Sequence, residues 1–212
     1  MSSARDLFAD ARGLTRLPVV DADLYYAEQF PLGQSPDALL ARLLDEVPWR
    51  SESIVVWGRK YQQPRLIAWY GDLGASYTYS GITLVPLPWS VTLREVRERV
   101  ESFLGAKFNS VLANYYRDNK DSMGFHRDNE PELGAQPVIA SVSLGEERPF
   151  IMRHKIKKNL NPVELHLASG SLLLMQGSTQ QFWEHGIPKE PHPCGPRVNL
   201  TFRRIFGAGE KR

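Results

Sequence analysis

Arg197-Val198-Asn199-Leu200-Thr201-Phe202-Arg203 alternates without a break between polar and apolar residues. Side chains on a strand point to opposite faces with period two. Val198, Leu200 and Phe202 therefore share one face, and Arg197, Asn199, Thr201 and Arg203 share the other. Taken alone, the pattern reads as a half-exposed edge strand whose charged face meets water. Further short strands are read at 171–176, 163–167, 150–153, 138–144 and 111–116, with turns at Gly145-Glu146-Glu147 and Ala168-Ser169-Gly170. Many short strands with regular turn signals imply an antiparallel sandwich or barrel of the jelly-roll kind, so the fold class is mainly β (α+β).

The N-terminal half has a different texture. Residues 1–22 read as a partly ordered lead-in. Ser35-Pro36-Asp37 is a helix start, with a serine cap, proline at the first helical position and an acid in the first turn. Leu39, Leu40, Leu43, Leu44 and Val47 follow at helical spacing, and Pro48 ends the run. Ser53–Trp57 reads as a short strand. From Tyr61 to Trp89, proline and glycine are too frequent for a helix, which predicts loop and short strand. A second amphipathic helix carries Leu93, Val96, Val100, Phe103 and Leu104 on one face. The expected layout over 1–212 is one domain, with an N-terminal helical and loop portion over about 1–105 wrapped around a jelly-roll core over about 106–206.

The chain of 212 residues is long enough to bury a full core. With 26 Lys and Arg against 24 Asp and Glu its formal charge is +2, so a polyanionic partner must be held by local patches. Arg153-His154-Lys155 with Lys157 and Lys158 is one such patch, and Arg59-Lys60 another. A single cysteine, Cys194, excludes an internal disulfide framework and fits a reducing compartment. No apolar run is long enough to span a bilayer, and Met1–Asp6 lacks the apolar core of a secretory signal. A soluble, intracellular protein is expected.

The chemistry gathers around Gly124-Phe125-His126-Arg127-Asp128. On an extended segment His126 and Asp128 point the same way and can reach one ion together. One further histidine would complete a two-histidine, one-carboxylate facial triad, the arrangement that suits non-haem Fe(II). Five histidines are available. His166 alternates with Leu165 and Leu167 and reads as solvated. His154 sits in the basic run, where a phosphate contact or plain solvation fits better. His192 lies in a proline-rich loop. His185, in Phe182-Trp183-Glu184-His185-Gly186, is the best remaining candidate. Beside such a triad the arginine strand gains a purpose, because a dicarboxylate co-substrate needs a fixed cation and a guanidinium binds carboxylate through two parallel hydrogen bonds. Asn114 and Tyr116, again two apart on a strand, could add an amide and a phenol.

These residues resemble the AlkB-like Fe(II)/2-oxoglutarate dioxygenases that repair alkylated nucleic acid. The resemblance is carried by Tyr70-Gly71-Asp72, Tyr77-Thr78-Tyr79-Ser80-Gly81, Asn114-Tyr115-Tyr116, His126-Arg127-Asp128-Asn129-Glu130, Ile139–Gly145, Gly170-Ser171-Leu172-Leu173, His185 and Pro196–Arg203. It implies a double-stranded β-helix core with N-terminal helices and a substrate-recognition lid. It implies iron ligation by His126, Asp128 and His185, and 2-oxoglutarate held by Asn114, Tyr116, Arg197, Asn199 and Arg203. Asn129 stands where near relatives often carry an acid.

The implied reaction uses Fe(II), 2-oxoglutarate and O2 to hydroxylate an N-methyl group on 1-methyladenine or 3-methylcytosine, releasing formaldehyde, succinate and CO2. A base inside a duplex cannot reach a buried metal and must be flipped out. Tyr77 and Tyr79 are candidates for the base wall, Glu130 for reading the exocyclic amine, Thr78 and Asn129 for further substrate contacts, Arg153 for the backbone, and Trp57 for filling the gap left by the flipped base. The partner is alkylated DNA or RNA, the protein acts without a membrane and as a monomer, and it belongs in a bacterial cytoplasm or a eukaryotic nucleus. Two other readings share the triad: an Fe(II)/2-oxoglutarate hydroxylase of a protein or small molecule, and a zinc-binding jelly roll, which would not need Arg197 and Arg203.

Overall fold

The computed structural model describes residues 13–56, 59–75, 77–79 and 82–207. In chain order the strands are β1 (Thr15–Leu17), β2 (Asp23–Ala27), β3 (Ser53–Val56), β4 (Arg59–Gln62), β5 (Leu66–Gly71), β6 (Tyr77–Tyr79), β7 (Ile82–Leu84), β8 (Ser110–Tyr116), β9 (Met123–His126), β10 (Ile139–Gly145), β11 (Pro149–His154), β12 (Val163–His166), β13 (Leu172–Gln176), β14 (Trp183–Ile187) and β15 (Arg197–Arg203). Two longer helices, α1 (Pro36–Glu46) and α2 (Val91–Leu104), interrupt them. Among the described residues the strands form a seven-stranded sheet in the order β1-β2-β13-β10-β15-β8-β5 and a four-stranded sheet in the order β12-β11-β14-β9. Two hairpins, β3–β4 and β6–β7, stand apart. All these pairings are antiparallel, and the two main sheets face each other as a jelly roll.

The helices are built as their sequences dictate. Ser35 Oγ accepts from the Ala38 amide at the start of α1, and Ser90 Oγ from Leu93 at the start of α2. Gly105 ends α2 in the left-handed region at φ +68°, which glycine adopts without a Cβ penalty. Leu39, Leu43, Leu93, Val96 and Val100 are buried against the outer face of the large sheet, where they meet Val111, Ala113, Val142, Leu144, Val198, Leu200 and Phe202. Each large side chain buried there contributes about 1.5–3 kcal/mol. The inner cluster lies between the sheets: Leu24, Tyr116, Ile139, Leu173 and Met175 from one, Phe150, Met152, Trp183 and Ile187 from the other.

Three readings change. The 197–203 strand lies not at an edge but between β10 and β8, at the middle of the large sheet. Its apolar face meets the helices, and its polar face is turned inward, toward the four-stranded sheet. The N-terminal part is not only helix and loop: β1, β2 and β5 are strands of the large sheet, and β2 pairs with β13 from Leu172↔Ala27 to Gln176↔Asp23. Of the lead-in, residues 1–12 lie outside the described residues.

The third change concerns His154, which is neither solvated nor open to phosphate. It shares the inward face of β11 with Met152 and is buried. Its ring stacks on Phe182 and meets Trp183 edge-on. Nδ1 accepts from the amides of Ile156 and Lys157, which leaves Nε2 to donate to Asp21 at 3.1 Å. Asp21 also receives Lys157 Nζ at 2.6 Å. His154 therefore anchors the basic loop rather than extending it. No helix among the described residues is long and apolar enough to cross a membrane.

Candidate metal centre

β9 and β14 pair through His126↔His185, which sets the two imidazoles side by side with ring centroids 4.4 Å apart. Asp128 lies two residues beyond His126, where the chain leaves β9 and turns inward. His126 Nε2 lies 4.0 Å from Asp128 Oδ1, and His185 Nε2 lies 3.8 Å from Asp128 Oδ2. One ligand atom from each residue falls within 4.8 Å of the others, the only such group of His, Cys, Asp and Glu among the described residues.

The surroundings prepare each group for a cation. His126 Nδ1 lies 3.0 Å from the Gly124 carbonyl; donating there fixes the tautomer that leaves Nε2 with a lone pair. His185 is buried against the Phe150 ring. Burial first, and the neighbouring His126 second, push its pKa down to about 3, so it is neutral, as ligation requires. Burial alone would raise the Asp128 carboxyl; Arg203, His185 and His126 outweigh that and hold it below the usual carboxylate range. Arg203 Nη2 donates to Asp128 Oδ1 at 2.6 Å. Asp128 Oδ2 is buried without a hydrogen-bond partner, an acceptor that a divalent ion would satisfy. Two imidazoles, that of His185 held neutral, and a carboxylate with an orphaned buried oxygen fit Fe(II).

The wall facing the triad is the polar face of β15 with its neighbours. Asn114, Tyr116, Arg197, Asn199 and Arg203 line the same cavity as His126, Asp128 and His185. Arg197 is fully buried, with Nη2 donating to Ser143 Oγ at 2.9 Å and its guanidinium 5.3 Å from the Tyr116 ring. Its Nε and Nη1 have no partner, and burial pulls its pKa down. The Asn199 amide is engaged at both ends: Nδ2 donates to Ser141 Oγ and the Val142 carbonyl, and Oδ1 accepts from Thr201. Asn114 Oδ1 accepts from Arg65 Nε at 2.8 Å, which leaves the NH2 as the free end of that amide.

Of the residues expected to meet a substrate, Glu130 is half-buried with a buried, unpartnered Oε2, and Asn129 is exposed. Arg153 is exposed, its guanidinium 3.8 Å above the Phe125 ring. Tyr77, Thr78 and Tyr79 form β6, paired with β7. Trp57 lies outside the described residues.

Two buried polar residues beside the cavity escaped the sequence reading. Arg65 follows a proline that marked only a turn. Gln180 had no signal at all: it lies in the helical turn Thr179–Phe182, and its Oε1 accepts from the Asp128 amide at 3.0 Å. Gln180→Leu leaves that amide unsatisfied in the interior. We expect it to cost about 1–3 kcal/mol of stability and about 10- to 100-fold in metal affinity, read by thermal melting and metal titration.

The family model described as the 2OG-Fe(II) oxygenase superfamily matches residues 23–203. The chain is 46% identical over 178 residues to human alpha-ketoglutarate-dependent dioxygenase alkB homolog 3, covering 80% of this chain and 62% of that protein. It is 42% identical over 179 residues to human DNA oxidative demethylase ALKBH2, covering 80% and 69%. It thus spans about three-fifths of the length of the alkB homolog 3 relatives. The structure of OsALKBH1 superposes with a TM-score of 0.57 at 16% identity, covering 90% of this chain and 99% of that one, a likeness of fold. The family match runs from the first residue of β2 to the last of β15 and takes in every residue of the cavity described above: the chain belongs to the AlkB-like 2OG-Fe(II) oxygenases.

Proposed function

We propose that the protein is an Fe(II)/2-oxoglutarate-dependent dioxygenase that oxidatively demethylates N-alkylated bases, 1-methyladenine and 3-methylcytosine, in DNA or RNA. The observation that carries the reading is Arg197. A fully buried guanidinium with two unpartnered donors and no carboxylate beside it is costly to maintain. It has a reason to exist when an anion from outside enters the cavity, and a dicarboxylate with one end at the metal fits. The names of the relatives point the same way.

In this reading His126, Asp128 and His185 hold the iron. Arg197 takes the distal carboxylate of 2-oxoglutarate with Tyr116 and the Asn114 amide beside it. Arg203, already paired with Asp128, takes the near end. Asn199 braces that wall through Ser141 and Thr201. The iron with its co-substrate supplies oxidation of the methyl group by O2, with loss of succinate, CO2 and finally formaldehyde. The rest is positioning and exclusion of water: Phe150 packs behind His185, which burial holds neutral, and the Gly124 carbonyl fixes the His126 tautomer. The first 105 residues, with the hairpins β3–β4 and β6–β7, serve as the lid that receives the flipped base, and Trp57, Tyr77, Thr78, Tyr79, Asn129 and Glu130 are the residues assigned to the substrate. The protein works inside the cell as a monomer.

The test is mass spectrometry of single- and double-stranded oligonucleotides carrying defined methyl lesions, with and without 2-oxoglutarate. Loss of 14 mass units per lesion (about one methylene) only in its presence is expected. Succinate release without demethylation of any oligonucleotide would assign the site to another substrate class.

A further inference from the structure

The four-stranded sheet has a second face, turned away from the cavity. β9 is its edge strand, and Phe125, next to His126, is 37% exposed there. Arg153 reaches it from β11, and its guanidinium lies 3.8 Å from the Phe125 centroid. β14 runs between the two strands, and its Gly186 pairs with β11 at Ile151. A side chain at Gly186 would meet the Met123 carbonyl at 2.8 Å, so the sheet stays low at that point. The result is a flat surface built from the Phe125 ring and the Arg153 guanidinium, with the half-buried Glu184 of β14 as the cross-strand neighbour of Arg153, on the strand that carries one of the proposed iron ligands. Lys155 and Lys158 follow Arg153 as exposed charges on the loop that His154 fixes in place.

We propose that Phe125 and Arg153 form a stacking platform for an unpaired nucleobase next to the lesion. The proposal rests on the nucleic-acid reading above and extends it to strand choice. An aromatic ring with a planar guanidinium accepts any base by its π-face, regardless of sequence. It needs that face free, which a paired and stacked duplex does not offer. Charge complementarity with the adjacent lysines commits the occupant to a single strand running from the platform along the basic loop.

The test is a cycle between protein and ligand. The 212-residue chain, loaded with Mn(II) and 2-oxoglutarate, is titrated with a single-stranded oligonucleotide carrying one 1-methyladenine, and with versions that have an abasic site at either neighbouring position. Phe125→Leu weakens binding to the intact strand about tenfold. The abasic site on the platform side weakens binding of the parent protein equally, and the two losses do not add. Phe125→Trp keeps the parent affinity. The duplex form shows no dependence on Phe125. Additive losses, or no loss with Phe125→Leu, overturn the proposal. So does a pair in which only Arg153→Gln matters and acts by lowering the salt slope by about one, the mark of a phosphate contact. A parent protein that binds no methylated oligonucleotide would instead overturn the nucleic-acid reading itself.

Discussion

His126→Ala is expected to lower demethylation by more than about a thousandfold while the affinity for a methylated oligonucleotide stays within about threefold. The imidazole is one of three groups whose ligand atoms fall within 4.8 Å, and nothing else in the described residues could replace it. Its loss should spare the fold. His126 ends an edge strand, its side chain is 28% exposed, and the partner it leaves behind, the Gly124 carbonyl, belongs to an exposed residue. Formaldehyde release, a gel-shift titration and a melting curve read the three quantities separately. Turnover that survives within tenfold would contradict His126 as a ligand; binding that collapses with turnover would mean that the residue supports the surface and not only the metal.

Arg197→Met should split function from stability in opposite directions. Two donors of this guanidinium await an anion, and each charge-assisted bond is worth about 1.5–3 kcal/mol. The affinity for 2-oxoglutarate should therefore fall at least about a hundredfold, measured by calorimetry with Mn(II) in place of iron. In the protein without co-substrate the same change removes a fully buried charge whose neighbours are the Ser143 hydroxyl and Tyr116, with no carboxylate to balance it. Methionine of similar length, packed against Tyr116, should raise stability by about 1 kcal/mol, which for a chain of this size is about 2–4 °C in Tm. Unchanged co-substrate affinity would remove the dicarboxylate from this end of the cavity. A lower Tm would mean that the guanidinium is structurally compensated.

What the sequence could convey depended on whether the information was local. The alternation at 197–203 separates its two faces correctly, because period-two geometry belongs to the strand itself. It does not say which face is inside. Polar residues usually mark the wet side, and here they line a cavity whose intended contents are polar. His154 failed for the mirror reason. Its charged neighbours look like solvent, yet its parity on β11 matches Met152, and its partner Asp21 is 133 positions away. β2 was missed because Asp23-Leu24-Tyr25-Tyr26-Ala27 is short and becomes a strand by pairing with β13, a tertiary fact. Gln180 and Arg65 hold Asp128 and Asn114 through single hydrogen bonds that no spacing rule encodes. The triad was legible because two of its members sit two residues apart, and few histidines remained for the third.

The place of β15 bears on how the protein is made. β15, residues 197–203, is the last strand in chain order among the described residues, and it fills the gap between β10 and β8. Until it leaves the ribosome, both neighbours expose unpaired edges, open templates for another chain. The polypeptide must wait with its barrel unclosed, since β2 likewise finds its partner about 150 residues downstream. Contacts this distant in sequence slow folding and prolong the hazard. A stop codon ahead of Arg197 would therefore yield not a weakened protein but an aggregating fragment, and recovery of the intact protein should rise with chaperones that shield nascent sheet edges until β15 arrives.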